Sequence, residues 1–143
     1  MLADQTAVVT GGATGIGKAI AAEFVATGAD VVIAGRTAET GEAAADELGC
    51  TYHQCDVSDY EQVATLVEAT AEAYDGLDTM VNNAGIARTG TVEEMSLEDW
   101  HDVLAVNLSG VMYGSRAALP YLRDSGGSIV NVASIYGLVG GPG

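Results

Sequence analysis

Gln5-Thr6-Ala7-Val8-Val9-Thr10-Gly11-Gly12-Ala13-Thr14-Gly15-Ile16-Gly17 is the stretch that decides how this chain folds. A short, mostly apolar run breaks into a glycine-rich turn, and helical spacing then resumes through Ile20, Phe24 and Val25. The reading is strand, glycine turn, helix. Such a turn sets bare backbone amides and a helix N-terminus, worth roughly half a positive charge, where a pyrophosphate can approach. Tight turns also use glycine for backbone reasons alone, so this stretch by itself leaves both readings open.

Outward from the turn, the pattern repeats. Gly28 stands where a helix C-terminal glycine is expected, and Val31-Val32-Ile33-Ala34 is a continuous apolar run suited to a strand buried on both faces. A helix rich in Ala and Glu, from about Ala38 to Leu48, is closed by Gly49, and a strand follows from Thr51 to Cys55. Ser58 to Glu61 reads as a capping box for the next helix. Thr79 to Val81 is a fourth strand. Ser96-Leu97-Glu98-Asp99 reads as a second capping box, opening a long helix through Trp100, Leu104, Leu108 and Met112, and Ser128 to Val132 is a fifth strand. Strands alternating with helices predict an α/β fold, a doubly wound parallel sheet of the Rossmann type with right-handed crossovers.

The chain has 143 residues, which predicts one domain. Its 20 acidic and 5 basic side chains give a formal charge of −15, and Lys18 is the only lysine. Nucleic-acid binding needs clustered Lys and Arg, so that function class is excluded. An acidic excess repels itself until salt screens it, which points to a halophilic host; a merely acidic cytoplasmic protein is the alternative. Cys50 and Cys55 are too few for a zinc site or a disulfide framework and are expected as reduced thiols near a strand; no metal is expected. No leader-like start and no membrane-length apolar run is present, so the expected location is the cytoplasm, with no membrane partner.

Five motifs now stand in order: Thr10-Gly11-x-x-x-Gly15-x-Gly17, Cys55-Asp56-Val57, Asn82-Asn83-Ala84-Gly85, Asn107 on the long helix, and Asn131-Val132-Ala133-Ser134. Together they resemble the short-chain dehydrogenase/reductase family in its single-domain branch, along the whole chain. The resemblance implies an oxidoreductase that moves a hydride between a nicotinamide cofactor and a ketone or secondary alcohol. Gly11, Gly15, Ile16 and Gly17 would then form the phosphate turn. Asp56, with Val57, would accept a hydrogen bond from the adenine amino group, or Asp56 could instead cap the following helix. Asn83, Ala84 and Gly85 would line the cofactor crevice, Asn83 also tying strands together. Ser134 would polarise the substrate oxygen, and Asn107 would hold a water chain for proton relay. Bland alternatives are an ordinary turn serine and a helix asparagine bonded to backbone.

Arg36 lies about 20 residues beyond the glycines, where a carboxylate marks NAD and an arginine marks NADP. Gly35 occupies the place of the acid. With Thr37 adding a hydroxyl beside Arg36, NADP(H) is the expected cofactor and NAD(H) the alternative.

In the family a tyrosine follows the serine by about a dozen residues and a lysine follows the tyrosine by four, the lysine holding the phenol ready as acid/base. Tyr136 lies two residues after Ser134 and is followed at the fourth position by Gly140, so it does not fit. The resemblance therefore implies an N-terminal portion, inactive by itself, with an exposed sheet edge prone to association. Oligomerisation through the helix around Trp100 to Tyr121 is implied for the full-length form. The rivals are a non-enzymatic nucleotide-binding module complete as given and, less consistent with the Asn82 to Gly85 motif, a methyltransferase. Gly137 to Gly143 reads as a tail or as a loop leading onward. Substrate identity is not legible.

Overall fold

The computed structural model describes residues 2–139. Five strands, β1 (Thr6–Thr10), β2 (Asp30–Gly35), β3 (Thr51–Gln54), β4 (Thr79–Asn82) and β5 (Ser128–Asn131), form one parallel sheet in the order β3-β2-β1-β4-β5. Helices α1 (Gly15–Ala26), α2 (Ala38–Leu48), α3 (Tyr60–Tyr74), α4 (Leu97–Leu104) and α5 (Gly110–Ser125) lie between them. This is the expected doubly wound, Rossmann-type architecture.

Successive strand residues point to opposite faces, and the central strands split accordingly. Val9, Val31, Ile33 and Val81 pack with Ala21, Ala44 and Ala45 of α1 and α2. Val8, Val32 and Met80 pack with Val63, Leu66, Ala118 and Leu122 of α3 and α5. Each buried aliphatic side chain of this kind contributes about 1.5–3 kcal/mol, which is why uninterrupted apolar runs are needed in β1 and β2. The buried face of α5 repeats every fourth residue as Gly110, Gly114, Ala118 and Leu122. A Cβ at Gly114 would strike the side chain of Asn82, so the glycine lets α5 lie against β4.

Two expectations are corrected. The cap of α3 is Asp59, whose side chain accepts from the amides of Glu61 and Gln62; Ser58 stands one residue ahead of it, and its hydroxyl instead donates to Asp56 Oδ1 at 2.7 Å. The long helix is not uniform either: a π-helical turn, Ala105–Ser109, separates α4 from α5. The cap at Ser96 is as expected, its Oγ accepting from Asp99 N at 3.0 Å, and Gly49 closes α2 in the left-handed region. Both cysteines are free. Beyond β5, a 3-10 turn spans Ile135–Gly137; residues 140–143 of the expected glycine-rich tail lie outside the described residues. Among the described residues no helix is long and apolar enough to cross a membrane.

Candidate functional site

The chain runs from β1 outward to β2 and β3, then returns to place β4 on the other side of β1. A crevice opens where the winding direction switches, at the C-terminal ends of β1 and β4. Gly11 to Gly17 and Asn83 to Gly85 both sit there. The two loops are stitched together: Asn83 Nδ2 donates to Thr10 O at 2.9 Å and Gly11 O at 3.2 Å. Thr10 Oγ1 accepts from the amides of Asn83 and Ala84 at 3.0 and 3.1 Å. Asn83 thus ties strands together, as one of its two expected roles requires.

Gly11 has φ +64°, a conformation that a side chain makes costly. A Cβ on Gly17 would collide with Gly11 O and Asn83 Nδ2, so α1 reaches the turn only because position 17 is bare. Above Gly15 the space is open, and Ile16 is 66% exposed. The N-terminus of α1, capped by no side chain, therefore faces an unobstructed rim.

A cleft of about 150 Å³ joins Gly11, Arg36, Asp56, Val57, Ala84 and Gly85, with Cys55 and Val106 at its base. The structure thus brings six of the expected cofactor residues into one place. Gly15, Ile16, Gly17, Thr37 and Asn83 are outside its lining: the first three continue the turn from Gly11, and Thr37, the first residue ahead of α2, is exposed next to Arg36. Asp56 Oδ1 accepts from Ser58 N and Ser58 Oγ, a local turn rather than a helix cap. The Arg36 guanidinium pairs with no carboxylate among the described residues, although the chain carries 20 of them.

Asn107 sits within the π-helical turn. Its Nδ2 donates to Ile86 O at 2.8 Å and its Oδ1 accepts from Ile86 N at 2.9 Å, clamping the loop after β4. The bland reading of Asn107, an asparagine bonded to backbone, is what this geometry contains. Ser134 lies apart from the cleft lining: its Oγ accepts from Tyr136 N at 3.2 Å at the head of the 3-10 turn, and it is exposed.

A larger cleft, about 610 Å³, opens at the opposite end of the strands and is lined by Asp4, Glu72, Asp75, Asp78 and Asp124. Five carboxylates there would repel a phosphate-bearing ligand, so size does not decide in its favour.

The family model for short chain dehydrogenase matches residues 5–143. The chain belongs to that family. It is 45% identical over 147 residues to the NADP-dependent (R)-specific alcohol dehydrogenase of Lentilactobacillus kefiri, covering 99% of this chain and 58% of the relative. It is 41% identical to the 3-alpha-(or 20-beta)-hydroxysteroid dehydrogenase of Mycobacterium bovis, covering 97% and 55% of the two chains. It is 38% identical to a 3-oxoacyl-[acyl-carrier-protein] reductase of Chlamydia trachomatis, covering 100% and 60%. This short-chain dehydrogenase chain thus spans somewhat over half the length of the relatives it matches.

Within the dehydrogenase cleft, burial pushes the Cys55 thiol up to about 11, helped by the charges of Asp56 and Asp59, so it is a neutral apolar wall. Asp59 is held below the usual carboxylate range by hydrogen bonds from the Gln62 side chain and amide, then from the Glu61 amide. Sequence reasoning missed Gln62. It bridges the loop to α3, with Oε1 accepting from Asp56 N at 2.9 Å and Nε2 donating to Asp59 Oδ2 at 3.0 Å. The one available signal was its type and place, a glutamine three residues after an aspartate, Asp59.

Proposed function

We propose that the protein to which these residues belong is an NADP(H)-dependent oxidoreductase acting on a ketone or secondary alcohol, and that this portion holds the cofactor. The observation that carries the reading is the unpaired, exposed Arg36 at the end of β2, beside Thr37 and with glycine rather than an acid at position 35. A guanidinium there is free to make charge-assisted bonds to a 2′-phosphate. The Lentilactobacillus relative, by name NADP-dependent, supports the same choice.

The open rim at Gly15 and the N-terminus of α1 suit a pyrophosphate, with Gly11, Ile16 and Gly17 shaping its bed. Asp56, whose Oδ2 makes no hydrogen bond among the described residues, would receive the adenine amino group, with Val57 beside the ring and Asn83, Ala84 and Gly85 along the crevice. When bound, the nicotinamide supplies or takes up the hydride. Ser134 would donate to the substrate oxygen, and Asn107, while holding Ile86, would anchor a water for proton relay. A lysine-supported tyrosine is not supplied by these 143 residues, since Lys18 is the only lysine. A full-length chain ending here would instead favour a nucleotide-binding module without turnover.

The domain assignment (one dinucleotide-binding domain over 1–143), cytoplasmic residence, a homo-oligomeric full-length form and adaptation to high salt belong to the same proposal. The last is supported by the −15 charge and checked by a melting temperature that rises between low and molar potassium chloride.

Fluorescence titration of the full-length protein with NADPH and NADH tests the reading. NADPH is expected to bind about 10- to 100-fold more tightly, the worth of one or two charge-assisted hydrogen bonds, and Arg36→Asp to reverse the order. Equal affinities in the parent would end it.

A further inference from the structure

β3 runs alongside the end of β2 in register, Ile33 opposite Tyr52 and Gly35 opposite Gln54. Residues two apart on a strand share a face, so Tyr52 and Gln54 stand on the same side of the sheet. Tyr52 Oη donates to Gly35 O at 2.7 Å, and Gln54 Nε2 donates to Arg36 O at 2.9 Å. Gly35 O also accepts from Cys55 N at 2.9 Å, and Thr37 O accepts from Gly41 N at 3.0 Å. Three consecutive carbonyls, at positions 35, 36 and 37, are therefore engaged. The sheet ladder and the first turn of α2 account for the backbone donors. Neither accounts for the two side chains.

The Tyr52 ring lies against Gly41, and a Cβ at position 41 would occupy the same space, so α2 is cut away to admit the phenol. Burial, then the charge of Glu42 and, once ionised at alkaline pH, that of Cys55, raise the Tyr52 phenol, which therefore stays a donor through the neutral range. Carbonyl oxygens carry partial negative charge. With those of Gly35 and Arg36 turned toward β3, the rim carrying the Arg36 side chain is relieved of them.

We infer that Tyr52 and Gln54 are positioning residues for 2′-phosphate recognition: from β3 they fix the backbone of Gly35 and Arg36, presenting the guanidinium ready placed to an anion. The inference rests on the reading of Arg36 as a phosphate-binding residue. Preorganisation of this kind raises affinity by lowering the ordering cost of the bound state, without a contact to the ligand. It therefore acts on ligands that carry the 2′-phosphate and spares those that lack it.

The test is calorimetric binding of adenosine 2′,5′-bisphosphate and of 5′-AMP to the full-length protein and to its Tyr52→Phe, Gln54→Leu and Arg36→Ala variants. The expected result is a preference for the bisphosphate that falls about three- to tenfold in each β3 variant, the equivalent of one hydrogen bond. Affinity for 5′-AMP should stay within about twofold. Should Tyr52→Phe fail to fold, Gln54→Leu on the exposed rim carries the test. Arg36→Ala separates the two readings. If it abolishes the preference while both β3 variants keep it, the positioning role is overturned and the Arg36 reading stands. If Arg36→Ala leaves the preference intact, both fall. Equal losses for the two ligands in the β3 variants would reduce Tyr52 and Gln54 to a general structural role.

Discussion

β1 and β5 are parallel strands of one sheet, yet their surroundings are opposite. All five residues of β1 are buried, flanked by β2 and β4 and covered on both faces by helices. All four residues of β5 are exposed; among the described residues it is an edge strand, and Ile129 and Val130, pointing to opposite faces, are 36% and 43% accessible. The proposed cofactor residues gather at the well-packed side, around the C-terminal ends of β1, β2 and β4. Ser134, proposed to meet the substrate oxygen, follows the exposed strand. Among the described residues the two strands thus differ in packing: the one that leads into the glycine turn is covered, and the one that leads to Ser134 is not.

The same substitution on the two sides should expose the difference most strongly. Ile33 on β2 is wholly buried, so Ile33→Ala is expected to cost about 2–5 kcal/mol in denaturant unfolding, whereas Ile129→Ala on β5 should cost under about 1 kcal/mol. Comparable losses would break the comparison. Next in size is Gly17→Val, whose side chain would meet Gly11 O and Asn83 Nδ2; overpacking of about 1–3 kcal/mol and loss of measurable NADPH binding are expected.

Alkaline pH sharpens the comparison further. The Cys55 thiol, raised to about 11 from 9.0, stabilises the fold fully below pH 9, and that contribution is lost as the pH climbs from about 9 to 11. Cys55→Ala should flatten that part of the thermal-melt profile, while Ile129→Ala should leave it unchanged. The smallest effect concerns association: an exposed apolar edge invites pairing, so Val130→Lys should lower the sedimentation-detected self-association of the 143-residue chain with its melting temperature nearly unchanged.

Much of the well-packed side was legible in the sequence, because its signals are local. Val31 to Ala34 is a short apolar run between Gly28 and Gly35, suited to a strand covered on both faces, and Gly28 and Gly49 mark helix ends through a positive φ. The α3 cap lies one residue beyond the expected Ser58: both residue types suit a cap, and it is the folded backbone that sets the Asp59 carboxylate against the amides of Glu61 and Gln62. The π-helical turn left no trace, since Trp100, Leu104, Leu108 and Met112 keep an unbroken four-residue spacing across it. Leu108 and Met112 are nonetheless exposed, and the buried face runs through Gly110 and Gly114 instead. Of the site, the turn and the motif residues could be picked out, because each loop carries its own pattern. Tyr52 and Gln54 could not, because their roles depend on which strand end lies beside which loop, and that register is a property of the folded sheet; Gln62 offered only its three-residue spacing from Asp59.

Hydrogen–deuterium exchange on the 143-residue chain, with and without NADPH, tests the central claim most directly. The amides of β1, β2 and β4 should exchange slowly and those of β5 quickly, and NADPH should add protection at Gly11 to Gly17 and Gly35 to Thr37 but not at Ser128 to Ser134. Slow exchange in β5 equal to that in β1, or protection by NADPH confined to segments outside the glycine turn and the end of β2, would contradict it.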